Sequence, residues 1–335
     1  MKNPTPHLGV FDSGLGGLTI LSKIVNNPLL VNHYKSITYF SDNEVMPYGN
    51  KDYDFILNRA RSIQHFLKEI GCTKIICACH TASAALLKDT DYSCSNDEIL
   101  NKFKNRREKK NIIDVITPTI KLLESYDEKL PIIVLGTPFT IDSQVYQNRI
   151  ASIQSNVIIN DSNKDYTFSG RNGLFISIPN LANEIEYQQE INLDAIKGVI
   201  NESESEKIIL ILACTHYSII KEKIVQKIIE TFKSKDIIVL QIENEIVSLL
   251  VDETRFSPRF MPTSIDFLYT ASTPPSEERI ENLLKISSFY NSNPKSKIAK
   301  LYFVNYGTCH VSSLNMRLQK APDIFTFSET LYDVI

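Results

Sequence analysis

Apolar residues along the chain follow two alternating rhythms. Short unbroken runs, closed by glycine, serine or aspartate, alternate with longer stretches whose apolar positions recur at helical spacing. The runs read as strands buried on both faces, and the longer stretches as helices packed by one face. His7 to Phe11 is the first predicted strand; it ends in the turn Asp12-Ser13-Gly14-Leu15-Gly16-Gly17, and a helix follows from Leu18. Ser36 to Phe40 is the second and opens into a loop, Ser41 to Gly49. From Asp52 to Ile70 the residues Ile56, Leu57, Ile63, Phe66, Leu67 and Ile70 mark a helix, with Gly71 at the capping position. A strand around Ile75 and Ile76 ends at Cys79, and Thr81 to Leu87 continues as a helix.

The pattern then restarts. Ile112 to Ile116 reads as a strand before Thr117-Pro118 and a helix, and Pro131 to Leu135 as a strand before a helix running through Ser143 and Tyr146. Lys207 to Ala213 is a strand that ends at Cys214, ahead of a helix from Tyr217 to about Phe232. Ile237 to Gln241 and Phe267 to Thr270 are further strands, separated by a helix carrying Ile246, Leu249 and Leu250. Such alternation predicts an α/β fold: two similar α/β domains with mainly parallel sheets and a site in the cleft between them. Residues 1–115 with 237–335, including a C-terminal extension, are expected to form a discontinuous first domain, and 116–236 the second. The polar segment Asp89 to Asn111 reads as a solvated excursion, and 291–297 as a linker or turn. The apolar tail residues Leu301 to Val304, Ile324, Phe325 and Phe327 are expected to pack against the rest.

Composition narrows the function. At 335 residues, 43% hydrophobic and 22% charged, the chain has the make-up of a globular protein with a large core. A net charge of −3 provides no broad basic surface for nucleic acid. An apolar signal segment and a run long enough to span a bilayer are both lacking, which predicts a cytoplasmic protein with no membrane partner. A reducing compartment leaves the six cysteines as free thiols. Cys72, Cys77, Cys94 and Cys309 read as small buried hydrophobes.

Cys79 and Cys214 stand apart because their settings match: Ala78-Cys79-His80-Thr81 and Ala213-Cys214-Thr215-His216, each at a strand end that leads into a helix. Ligands of parallel α/β sheets bind beyond such ends, and a helix N-terminus favours a thiolate. Two thiols facing one another across a cleft can act as base and acid on opposite faces of one carbon, inverting it with no metal or organic cofactor. Zinc is the competing reading, from Cys77, Cys79, His80, Cys214 and His216, but Cys-x-Cys-His lacks the usual ligand spacing. A redox pair is disfavoured because no Cys-x-x-Cys is present. The glycine-rich turn after Asp12 lacks the last glycine of a dinucleotide fingerprint, so alone it marks only a turn.

Assembled, these motifs resemble glutamate racemase, of the cofactor-independent aspartate/glutamate racemase superfamily. Gly9 to Leu18 is similar to the family's GxxDSGxGGL, and Tyr39 to Asp42 with Pro47-Tyr48-Gly49 to its Y-x-x-D…PYG segment. Ala78 to Ser83 parallels ACNTAS, Gly136 to Tyr146 a GT-x-x-T-x-x-S-x-x-Y run, and Ala213 to Tyr217 GCTHY. Ile178-Pro179-Asn180-Leu181 with Glu186 is a fainter echo of CPGL…E. The resemblance implies that Cys79 and Cys214 are the acid/base pair, assisted by Asp12 and His216 and more weakly by Glu186. It implies substrate contacts from Asp12, Ser13, Tyr48, Gly49, His80, Thr81, Thr215 and His216, and D-glutamate supply for peptidoglycan precursors. A small amino-acid substrate is the implied partner; a homodimer is left open. Departures are His80 for the family's asparagine, Ile178 and Asn180 within CPGL, segments inserted near 89–111 and 151–175, and the tail. The alternatives are a racemase of aspartate or another amino acid, or a ligand-binding or regulatory homologue impaired in catalysis.

Overall fold

The computed structural model describes residues 6–92, 111–126, 130–153, 157–160, 165–168, 171–197, 206–232, 236–254, 264–270, 298–305 and 326–332. Cys94, Cys309, Ile324, Phe325, most of the charged segment after Asp89 and the stretch 291–297 lie outside these residues.

Two sheets organise the molecule. In the first, β1 (His7–Asp12) is central between β2 (Ser36–Ser41) and β3 (Lys74–Cys77), with β4 (Ile112–Asp114) beyond β3, all parallel. The second contains β5 (Ile132–Gly136), β8 (Arg171–Ser177), β9 (Lys207–Ala213) and β10 (Asp236–Val239), also parallel. Its β8 edge is extended by the antiparallel strands β7 (Asp165–Phe168) and β6 (Val157–Asn160), so the inserted segment near 151–175 widens this sheet. The chain then returns to the first sheet. β11 (Ser264–Thr270) lies parallel to β2, β12 (Ile298–Asn305) parallel to β11, and β13 (Thr326–Tyr332) antiparallel at the edge. Leu301 to Val304 of the apolar tail are therefore strand residues.

The alternation of side chains explains the layers. Leu8, Val10, Ile37 and Tyr39 pack against Ile20 and Ile24 of the Leu18–Val25 helix and Ile246 and Leu250 of the Ile242–Thr254 helix. Phe11 and Phe40 point the other way, onto Ile56, Ile63, Phe66 and Leu67 of the Tyr53–Glu69 helix. In the second sheet Val134, Ile209 and Ile211 face one cluster, and Ile133, Leu210 and Leu212 the other. Each fully buried side chain of this size contributes roughly 1.5–3 kcal/mol relative to exposure.

Local chemistry sets the ends. Asp52 caps the Tyr53–Glu69 helix by accepting from Phe55 N at 2.8 Å, and Gly71, at φ +94°, closes it in the left-handed conformation. Four expectations shift. The helix after β4 starts at Ile116, before Thr117-Pro118, because Asp114 accepts from Thr117 N at 2.7 Å and a first-turn proline loses no helical bond. The helix expected through Ser143 is split into Pro138–Asp142 and Val145–Ser152 by Gln144 at φ +59°. The helix expected from Tyr217 begins as a 3-10 turn, Thr215–Ile220, and becomes α-helical at Lys221. Finally β10 pairs with β9, so residues 237–239, expected in the first domain, belong with the second sheet.

Candidate active site

Both cysteines of interest follow the carboxyl end of a central strand. Cys79 lies two residues beyond β3 and accepts Ser83 N at 2.9 Å through its carbonyl, opening the His80–Tyr92 helix. Cys214 follows β9 directly, with extended backbone, ahead of the 3-10 turn. The two sheets bring these ends to one small, partly enclosed cavity. Ser13, Tyr48, Gly49, Cys79, His80 and Thr81 line it from the first domain's segments. Cys214, Thr215 and His216 line it from the second domain's segments, with Thr137 and Ala182. The thiols are free, and only 5% and 6% exposed.

Each sulfur has its own polar neighbour. Cys79 Sγ donates to Ser13 Oγ at 3.6 Å, and Asp12 accepts from Ser13 N at 2.7 Å and from Thr215 Oγ1 at 2.8 Å. Cys214 Sγ is 3.9 Å from His216 Nδ1, whose other nitrogen, Nε2, is 2.8 Å from Glu186 Oε2. Glu186 also accepts from Leu15 N at 3.1 Å and from Asn43 Nδ2, contacts that cross from the second domain's segments to the first.

Burial dominates the electrostatics. It raises the Asp12 carboxyl above the usual carboxylate range, against the pull of His216 and Thr215. It also pushes the Cys79 thiol far up, and the charge of Asp12 adds to the effect. For His216 burial acts downward, but bonding to Cys214 and Glu186 outweighs it, so the imidazole is held well above its ordinary value. Burial thus favours the neutral thiol at Cys79, and the protonated form of His216 is favoured where it meets Glu186.

Close packing accounts for the glycines. A Cβ on Gly16 would meet Thr215 Oγ1 at 2.4 Å and His216 N at 2.7 Å, and one on Gly49 would meet Thr137 Cβ at 2.4 Å. The loop that carries Tyr48 and Gly49 is anchored behind the cavity. Tyr48 donates to Asp42, Arg59 donates to both Asp42 oxygens, and Thr270 of β11 donates to it at 2.9 Å.

Every residue expected at the site lines this cavity or bonds to one that does. Glu186, the faintest in sequence, is 2% exposed and bonded to His216. Sequence reasoning passed over Thr137, whose hydroxyl joins those of Thr81 (3.0 Å) and Thr140 (2.9 Å), although its place after Gly136 in the matched run was visible. Asn43 had no signal beyond lying in the Ser41–Gly49 loop. Asn180 adopts φ +63°, a conformation asparagine tolerates better than most residues, and its Oδ1 accepts from Asn50 Nδ2 at 3.3 Å. Among the described residues no group of three or more His, Cys, Asp or Glu side chains converges as a metal site requires.

No family model matches the chain. Solved structures match it over nearly its full length. Glutamate racemase isoform RacE1 from Bacillus anthracis aligns at TM-score 0.60 and 23% identity, covering 88% of this chain and 100% of that one. The enzyme from Francisella tularensis, in complex with D-glutamate, aligns at TM-score 0.60 and 22% identity, over 87% and 95%. These likenesses define the class of fold: the two-domain α/β architecture of glutamate racemases. Sequence carries the assignment further. Glutamate racemase from Aquifex pyrophilus is 31% identical over 243 residues, 71% of this chain and 83% of that protein. The chain belongs to the glutamate racemase family.

Proposed function

We propose that the protein interconverts L- and D-glutamate by two-base proton transfer between Cys79 and Cys214. The observation that carries the reading is the pair of buried free thiols that line one cavity, one from each sheet, each with its own polar support. Glutamate would sit with its α-carbon between the sulfurs. One thiolate takes the α-proton, the opposite thiol returns a proton to the other face, and in reverse the roles exchange. Asp12, with Ser13, positions Cys79; His216, with Glu186, balances charge beside Cys214.

Among the described residues no lysine or arginine lines the cavity, so the substrate carboxylates would rely on hydroxyls and backbone N–H groups. Thr81 supplies a hydroxyl, and Ser13, whose own hydroxyl donates to Asp12 at 3.4 Å, would contribute its oxygen only as an acceptor for the ammonium. Thr215 already donates its hydroxyl hydrogen to Asp12, so its contribution would come from its backbone N–H. The D-glutamate formed would serve peptidoglycan precursor synthesis in the cytoplasm.

The test is chiral separation of products from L-glutamate, and separately L-aspartate, with wild type, Cys79→Ala and Cys214→Ala. D-glutamate from wild type alone supports the proposal. D-aspartate in its place would move the activity to another substrate. Near-normal racemisation by either variant would overturn the two-base assignment, and thermal stabilisation by glutamate without turnover would favour a binding role.

A further inference from the structure

Support for the second cysteine crosses between the segments of the two sheets. Glu186 ends the Leu181–Glu186 helix, is 2% exposed, and meets His216 Nε2 through Oε2 at 2.8 Å. The same oxygen accepts from Leu15 N at 3.1 Å, and Oε1 accepts from Asn43 Nδ2. Leu15 and Asn43 sit in the turns that follow β1 and β2, whereas His216 follows β9 of the second sheet. Asn43 is buried, and the acid–base scheme gives it no role.

Its amide can meet Glu186 in one orientation. An ionised carboxylate accepts and cannot donate, so the NH2 end must face it. Oδ1 is thereby turned to the fully buried Ser41, whose hydroxyl donates to it. The residues on either side are tied as well. Asp42 accepts from Arg59, Tyr48 and Thr270, and Glu44 N donates to Thr270 Oγ1 at 3.0 Å. Asn43 thus reaches Glu186 from a backbone and an amide that are already held.

Other ionisable groups surround the Glu186–His216 pair. Asp12 and the Tyr39 phenol act on it from the first sheet, and Cys214 Sγ is 3.9 Å from His216 Nδ1. Glu184, on the helix of Glu186, accepts from Asn192 N at 2.9 Å, and Lys221, after the 3-10 turn, pairs with Glu222 at 3.6 Å. In so dry a place a carboxylate is costly unless donors meet it. Without the Asn43 amide, the proton between Glu186 and His216 shifts toward the carboxyl and the imidazole loses charge.

We infer that Asn43 is a positioning residue: its amide, reaching across from the turn after β2, holds the Glu186 carboxylate against His216 and so maintains a charged imidazole beside Cys214. The link to turnover rests on the racemase reading; the effect on His216 does not.

The effect is read by NMR of ligand-free protein labelled with 15N-histidine, the His216 signals being assigned by their loss in His216→Gln. Near neutral pH the wild type is expected to show both ring nitrogens protonated. In Asn43→Ala the His216 signals should move toward those of a neutral ring; Asn43→Leu, which keeps the volume without a donor, is read the same way if the alanine variant does not fold. An imidazole as fully protonated in the variant as in the wild type overturns the inference, as does a neutral His216 in the wild type. Turnover gives a second reading. Asn43→Ala should lower kcat for glutamate by about 10- to 100-fold, the loss expected for one hydrogen bond to a charged group. KM should change less, because the residues described in the cavity wall do not include Asn43. In a Glu186→Gln background the further loss should nearly vanish; losses that multiply would place the effect of Asn43 elsewhere and overturn the inference. If glutamate is not racemised at all, the racemase reading fails, and the His216 signals still decide whether Asn43 acts as inferred.

Discussion

Burial acts on Asp12 and His216 in opposite senses: it makes ionised Asp12 costly and opposes a proton on His216, yet Glu186 and Cys214 hold His216 protonated. The consequence is a pH dependence with a definite sign. A group whose pKa is raised on folding contributes stability that is complete below its unfolded value, about 6.5 for histidine, and lost as pH rises through the folded value. Glu186→Gln removes one of the two contacts that raise His216. The stability advantage of wild type over this variant is therefore expected to be largest below about pH 6.5 and to shrink as pH rises further, read by denaturant melts across that range. The raised Asp12 also changes stability with pH, but it is present in both proteins and largely cancels. An advantage that grows with pH would contradict the assignment. At the sulfurs, Cys79→Ser and Cys214→Ser substitute a far weaker acid that does not ionise near neutral pH and so supplies no comparable base. Each should lower the rate of racemisation by about 10²–10⁴-fold or more with little change in melting temperature.

At the level of elements, the turn between β1 and the Leu18–Val25 helix matters because it seats against the start of the 3-10 turn that follows Cys214. Gly16→Ala would drive a methyl group into Thr215 and a backbone nitrogen, which is not the yielding end of a flexible side chain. The expected outcome is a shift of the two sides of the cavity apart, seen as a fall in kcat/KM, with destabilisation of about 1–3 kcal/mol. Strands and this turn were legible in the sequence because unbroken apolar runs closed by glycine or aspartate have few other solutions. Lys207 to Ala213 is a case where run and strand coincide. Gln144 was illegible: a left-handed residue in the middle of a helical pattern has no signal when it is not glycine. The 3-10 turn after Cys214 was equally silent, since its sequence favours an α-helix and only the fit against the glycine-rich turn says otherwise. Glu186 shows the same limit at the site. A six-residue helix with two glutamates carries no local sign of burial, and Leu15 and Asn43 of the opposed domain, together with His216, make Glu186 a buried acceptor.

For the whole molecule, the returning strand β11 ties the tail to the site. Its Thr270 bonds Asp42, which with Arg59 and Tyr48 forms a fully enclosed cluster beneath the loop that carries Gly49. Arg59→Leu leaves the Asp42 carboxylate buried without its cation. The expected cost is about 3–5 kcal/mol in denaturant unfolding, because the remaining charge has no water to return to. A change near zero would show that the loop is held by other contacts. The α/β class was visible from the repeated strand-to-helix pattern, but which strands join which sheet, and the place of the tail, were not. Pairing of β12 with β11 is a long-range choice that no local pattern encodes.

The claim on which these levels converge is that two thiols work on opposite faces of one carbon. Its most direct measurement is early-time deuterium labelling in D2O with L-glutamate. The remaining L-glutamate is separated from the D-glutamate formed, and each is examined for deuterium at the α-carbon. Two opposed bases predict deuterium in the product and almost none in the recovered substrate, since the proton leaves to one sulfur and the deuteron arrives from the other. Deuterium entering recovered L-glutamate as fast as the product would point to a single base and contradict the account.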